Sequence, residues 1–441
     1  MILNKKIRRL GIFIFFDIES IVDDYVLFML DSLKEAVEDL IIVSNSYLPN
    51  EELEKFLKYT DKIEIRDNYG LDAAAFKYIY DKYGQEYFSQ YDEVILCNDT
   101  FYGPFEPFKS IVKKMEKRDI DFWGLTANYD SVDGYGTMEY GYIPAHIQTF
   151  FIAFRNSVLK STAFDSYWKN YDVKHMLSFS DVVMKHELTF TNYLEKHGFC
   201  WDTYLDLQYF KSDNKEQNYN IYGYSTNNLV RNFNCPFIKR KNLVFDKNDA
   251  LYLNNGIDAR NSLNYINEND IYDLNMILKN LIRIYDPVDI YQGLNLNYIV
   301  SKAKETNNKS LIYISVSDIK TLRLIKTYIN HIQLHDVIIV TDNQEVNNYD
   351  KNIKLVNPVD YIYINRDKWI KKYDYICLLN LKRNFEDKIV EIDDSNILKT
   401  LQNAIENDSY INGVLNIFGQ NEYIGALYLP TYFHNKFFYN I

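Results

Sequence analysis

Three segments in the first hundred residues are apolar along nearly their whole length: LGIFIFF (10–16), the start of LIIVSNS (40–46) and EVILC (93–97). A strand with no polar face must be covered on both sides, so such runs belong in a parallel sheet flanked by helices. The intervening stretches supply the helices. DDYVLFMLDSLKEAVED (23–39) has apolar residues at helical spacing behind two N-terminal acids, NEELEKFLKY (50–59) is a short helix, and DNYGLDAAAFKYIYDKYG (67–84) turns into another. KIEIR (62–66) adds a strand, PFKSIVKKMEKR (107–118) a helix, and DFWGLT (121–126) follows it. The expected class is α/β with a mostly parallel sheet. Ligands in such sheets bind outside the carboxyl ends of the strands, and YDEVILCNDTFYGPF (91–105) surfaces there at Asp99.

A chain of 441 residues is long for one domain, and the pattern changes after Thr126. HIQTFFIAFRNSVL (146–159) reads as an aromatic-rich strand, and SFSDVVMKHELTFTNYLEKHGF (178–199) as a helix. NCPFIKRKNLVF (234–245) is a short basic segment, residues 260–300 form a helical extension, and AKETNNKS (303–310) is the linker candidate. Beyond it LIYISVSD (311–318), DVIIVTDN (336–343) and YDYICLLN (373–380) echo the first strands in order. The expected organisation is therefore a first domain over 1–300 and a smaller second α/β domain over 308–441, a degenerate repeat of the first half. That second copy has Leu381 where the first has Asp99.

The composition is 47% hydrophobic and 25% charged, with a net charge of −12 that argues against nucleic acid as a partner. The apolar run behind the basic start, MILNKKIRRLGIFIFFD, is too short for a signal peptide and ends in Asp17. No apolar stretch reaches the roughly 20 residues of a membrane span. The four cysteines lack metal-ligand spacing and are expected as free thiols in a reducing cytoplasm. There is no G-x-G-x-x-G after the first strand, no P-loop and no G-x-S-x-G elbow, and HELTF (186–190) has Phe190 where a zinc helix needs histidine.

What remains is a set of acids at strand and helix ends, each with a plain alternative. Asp99 can hold a divalent cation against a diphosphate or simply cap a turn. In RDNYGLDAAAF (66–76), Gly70 permits close approach and Asp67 or Asp72 can accept hydrogen bonds from a base or ribose; the alternative is an Asn-Gly-type turn before a well-packed helix. Asp181 is placed as a helix cap, whereas Glu187 lies deeper in its helix and suits a general base. His146 and Gln148 suit gripping sugar hydroxyls or a structural role. The basic run KRK (239–241) can neutralise phosphate but is more simply a solvated edge.

Taken together, RDNYGLDAAAF, YDEVILCNDTFYGPF, HIQTFFIAFRNSVL, HELTFTNYLEKHGFCWDTY and CPFIKRK resemble the rhamnan synthesis F family of bacterial cell-surface polysaccharide biosynthesis, over roughly residues 8–300 and more weakly beyond. The resemblance implies a GT-A-like nucleotide-sugar fold and transfer of a sugar, such as rhamnose or another hexose, to a growing glycan. It places Asp99, with Asn98 beside it, at the metal or diphosphate position, and Arg66, Asp67, Gly70 and Asp72 near the nucleotide. Glu187, with Asp181 second, is the expected base of an inverting displacement, and His146 and Gln148 would position the acceptor. The implied cofactor is Mn or Mg, and the implied partners are a nucleotide-sugar donor and a glycan or lipid-linked acceptor, in a cytoplasmic, membrane-peripheral enzyme. The alternative reading is a non-catalytic glycan-binding or scaffolding subunit of a synthesis complex.

Overall fold

A computed structural model of the chain describes residues 6–133, 136, 141–175, 178–206, 208–212, 220–244, 256–296, 300–381, 394–421 and 424–427. The chain forms two compact units, Met1–Leu296 and Asn297–Ile441. The end of the expected second domain, residues 428–441, lies outside the described residues.

In the first unit, β1 (Arg9–Phe15) is buried throughout and pairs in parallel with β2 (Asp39–Ser44) and β4 (Glu93–Asn98), while β3 (Ile63–Ile65) extends β2. The period-2 alternation of a strand sends Phe13 and Phe15 to one face and Leu10, Ile12 and Ile14 to the other. Helix α1 (Asp24–Ala36) covers the first face with Tyr25, Met29 and Leu33, at the i, i+4 spacing expected of a buried stripe. The helix Leu71–Phe88 covers the second with Ala73, Phe76 and Ile79. Beyond β4, β5 (Phe101–Tyr102) leaves the sheet, and β6 (Phe122–Gly124), β11 (Phe151–Arg155) and β12 (Trp201–Thr203) continue it in the order β12-β6-β11-β4-β1-β2-β3. Only β11 runs against its neighbours. The mostly parallel α/β class expected from sequence is the one observed.

Three short antiparallel pairs stand outside the seven-stranded sheet. They are β7 (Ala127–Asn128) with β10 (His146–Ile147), β8 (Ser131–Val132) with β9 (Tyr142–Ile143), and β5 with β13 (Ile238–Lys239). The expected strand over 146–159 is in fact β10, a turn, β11 and the helix Asn156–Leu159. The 260–300 extension resolves into helices Ile257–Glu268, Leu274–Ile284 and Pro287–Gly293.

In the second unit, β14 (Ser310–Val316), β15 (Asp336–Thr341), β16 (Lys354–Leu355) and β17 (Tyr375–Leu381) form a parallel sheet ordered β16-β15-β14-β17. This is the same third-second-first-fourth order as β3-β2-β1-β4.

Candidate active site

The carboxyl ends of the first four strands carry polar side chains that are nonetheless buried: Asp17, Asn45, Ser46, Arg66, Asn98 and Asp99. Polar groups taken from water need partners, and those partners assemble two groups on either side of the end of β4.

The first group surrounds Asp99. The Tyr25 hydroxyl donates toward its carbonyl at 3.2 Å and its Oδ2 at 3.3 Å, and itself accepts from an Arg240 nitrogen at 2.9 Å. That nitrogen lies 4.0 Å from Asp99 Oδ2. Burial pushes the Asp99 carboxyl up to about 6, with Arg240 pulling the other way. Burial would lower the Arg240 pKa, but Tyr25 and Asp99 outweigh it and raise it. Nearby, Asp17 accepts the backbone N–H groups of Glu19 and Ile21 at 3.0 and 3.1 Å. Arg283 clasps Asp17 at 2.5 Å, Asp23 at 2.6 Å and Glu19 at 2.9 Å, pinning the loop after β1 to the Leu274–Ile284 helix.

The second group surrounds Glu187. The helix expected over 178–199 is interrupted by a wide π turn, Val183–Glu187, between Phe179–Val182 and Leu188–Lys196; such turns recur at functional sites because they re-aim side chains. The Glu187 Oε2 accepts from the backbone N–H and hydroxyl of Thr149 at 3.1 and 2.8 Å. Its Oε1 has no hydrogen bond among the described residues. Burial would raise the Glu187 pKa, yet His146, Lys239 and the Thr149 bonds outweigh it and lower it, so the carboxylate stays ionised. Asp72 stands close enough to Glu187 that burial and that like charge raise its own pKa, while Asn98 donates to its Oδ2 at 2.9 Å. Lys239 lies over the Phe150 ring, 3.2 Å from its centroid. Burial brings its ammonium down to about 7 against the opposing pull of Glu187. A small pocket opens here, lined among others by Asp72, Asn98, Thr149, Trp168, His186 and Phe190.

The family model described as rhamnan synthesis protein F matches residues 40–441. The chain belongs to that family. No curated protein matches it. Among solved structures it is similar to the Saccharomyces cerevisiae mannosyltransferase Ktr4p, at 14% identity and a TM-score of 0.23, over 36% of this chain and 59% of that one. The Aspergillus fumigatus core-mannan synthase A in an Mn/GDP form is 10% identical with a TM-score of 0.22, over 36% and 63%. The Streptococcus pneumoniae glycosyltransferase GlyE is 13% identical with a TM-score of 0.27, over 87% and 88%. The chain thus spans less than two thirds of the length of the first two proteins.

In this rhamnan synthesis F family member the residues singled out from sequence separate into several fates. Asp72 and Asn98 come together at the pocket, with Glu187 bonded to Thr149 of its lining, and Asp99 sits across the end of β4 from them. Arg66 is committed to the turn it was expected to offer to a nucleotide: it donates to Asn45 at 2.8 Å and to the carbonyls of Tyr69 and Leu71 at 2.6 and 3.3 Å. Gly70 adopts a left-handed φ of 61° in that turn, and Asp67 is exposed. Asp181 forms a capping box with Ser178 and lies 3.4 Å from Lys185, so its oxygens serve the helix start. His146 donates from Nδ1 to the Pro144 carbonyl at 2.8 Å and accepts at Nε2 from Asn128 at 3.3 Å, while Gln148 accepts from Thr126 at 2.8 Å. Both are buried and hold the 146–149 segment in place. The solvated-edge reading of KRK needs correction: only Lys241 is exposed, and Lys239 and Arg240 turn into the two groups above. Tyr25, Thr149 and Arg283 carried no sequence signal that set them apart.

A divalent cation at Asp99 does not match the residues around it. Hard cations take six or more oxygen ligands, whereas Oδ2 of Asp99 faces a hydroxyl donor and a guanidinium. Among the described residues no group of three or more His, Cys, Asp or Glu side chains is arranged to hold a metal.

The inward turn of Lys239 and Arg240 depends on how the chain is zipped to β5. Phe105 donates to the Pro236 carbonyl at 2.7 Å, and Arg240 to the Thr100 carbonyl at 3.1 Å. Gly103 makes this possible, with a φ of 139° and a Cβ position that would meet the Pro236 carbonyl at 2.6 Å. Gly103→Ala is expected to destabilise the protein by about 1–3 kcal/mol through strain and displacement of that strand. Urea unfolding checks this, and an unchanged midpoint would show that the approach relaxes freely.

Proposed function

We propose that the protein is a glycosyltransferase that moves a sugar from a nucleotide-diphosphate donor to a cell-surface polysaccharide or glycolipid acceptor by inverting displacement. The observation that carries this reading is the pairing of two uncommitted charges at the carboxyl edge of a parallel sheet: the free Oε1 of an ionised Glu187 and the Lys239 ammonium. Family membership and the position of the pocket support it.

In this mechanism Glu187 Oε1 accepts the proton of the acceptor hydroxyl as that oxygen bonds to the anomeric carbon. The bond from the anomeric carbon to the phosphate oxygen breaks on the opposite side, and the nucleoside diphosphate leaves with the electron pair. Thr149 holds Glu187 in orientation through two hydrogen bonds to Oε2. Asp72, fixed by Asn98, faces the same pocket and serves to bind sugar hydroxyls. His146 and Gln148 act by anchoring the Thr149 segment. A GT-A-like donor site, a rhamnose or other hexose donor, and a membrane-peripheral cytoplasmic location belong to the same proposal. No helix among the described residues is long and apolar enough to cross a membrane.

A thermal-shift panel of UDP-, TDP- and GDP-sugars tests the reading. A donor present at a hundredfold excess over its Kd adds about 2.7 kcal/mol by mass action, expected to raise Tm by roughly 5 °C. A flat response across the panel would favour the scaffolding alternative.

A further inference from the structure

We propose that Lys239 is the diphosphate-binding cation of this site, its ammonium contacting the donor's leaving phosphate in place of a divalent metal, with Arg240 adding positive field from the other side of the β4 end. The inference rests on the glycosyltransferase reading and specifies how its leaving group is stabilised.

Three observations carry it. First, Lys239 is half-buried, and its ammonium lies over the Phe150 ring and makes no hydrogen bond or ion pair among the described residues. Removing an ammonium from water is costly, and Glu187 and Asp72 offset that cost only at a distance, so the ammonium's N–H donors are left to an anionic ligand. Second, Arg240 is anchored through one nitrogen to Tyr25 and Asp99, leaving the rest of a planar five-donor fork without a partner among the described residues. Asp99 thereby orients a cation rather than binding one. Third, the segment bearing both cations is fastened to the turn after β4 by the β5–β13 pairing and the Arg240–Thr100 bond, so the charges are fixed in place before a ligand arrives. Preorganised charge of this kind is what a departing diphosphate needs.

The test measures binding of UDP, GDP and TDP to the full chain by calorimetry, in EDTA and in manganese. One nucleoside diphosphate is expected to bind with less than about a threefold difference between the two conditions. Lys239→Met should weaken it by about 10- to 100-fold, the range for losing a hydrogen bond to a charged group, while leaving affinity for the corresponding nucleoside unchanged. Lys239→Arg should restore much of the loss; a purely structural lysine would instead affect nucleoside and diphosphate alike. Should Lys239→Met not fold, Lys239→Gln serves, and the EDTA comparison needs no variant. Binding that requires manganese, or that Lys239→Met leaves intact, overturns this inference and spares the glycosyltransferase reading. Absence of diphosphate binding in both conditions overturns both.

Discussion

Glu187→Gln is expected to cut sugar transfer by about 10²- to 10⁴-fold, the range for loss of a positioned general base, with donor affinity nearly unchanged. The substitution keeps the shape of the side chain and an oxygen able to accept from Thr149, so the π turn and the 146–149 segment retain their anchor. What disappears is the oxygen of this carboxylate that has no hydrogen bond among the described residues, and with it the acceptor for the incoming hydroxyl's proton. Asp181→Asn provides the contrast. Its carboxylate serves the Ser178 cap and Lys185, so the cost should appear in stability, at about 0.5–2 kcal/mol, and not in turnover. Measuring kcat and donor Kd for both variants separates the roles. A Glu187→Gln protein with wild-type kcat would remove Glu187 from the chemistry.

Glu93→Gln should be the most damaging single change to stability, at about 3–5 kcal/mol. Glu93 is buried at the start of β4, in register with Arg9 on β1 and Arg155 on β11. It bonds Arg9 at 2.7 Å, lies 3.6 Å from Arg155 and accepts from the Trp123 indole at 2.8 Å. Arg9 also reaches Glu116 at 2.8 Å, and Arg155 donates to the carbonyls of Met115, Arg118 and Ile120. One carboxylate therefore meets two interior guanidinium groups across three adjacent strands, at the end of the sheet away from the pocket. Glutamine keeps the indole bond but leaves Arg155 without its carboxylate partner and Arg9 with Glu116 alone in a low-dielectric interior. Equilibrium denaturation in guanidinium would register the loss; a change below about 1 kcal/mol would mean that solvent reaches the cluster.

The two sites differ in how much of each could be read from local sequence. Asp72, Asn98, Asp99 and Glu187 were visible because they follow strand ends or interrupt an apolar helix face, and the carboxyl edge of a parallel sheet is where such residues converge. KRK read as a solvated edge because three adjacent cations are costly to bury. What offsets that cost for Arg240 is Tyr25, 215 residues away in sequence. Thr149 stands between Gln148 and Phe150, and nothing in these neighbours signals that Glu187, 38 positions on, will take both its donors. The π turn is likewise silent, since VMKHE continues an ordinary helical pattern.

By itself the sequence determined the layered α/β class, because wholly apolar strands alternating with amphipathic helices have few other ways to bury both faces. The order of strands beyond β4, the reversal of β11 and the identity of the charged groups that meet at the pocket were decided only by tertiary structure. The reason is physical: burying apolar area is additive and local in its pattern, whereas the cost of burying a charge depends on partners that the fold alone brings within reach.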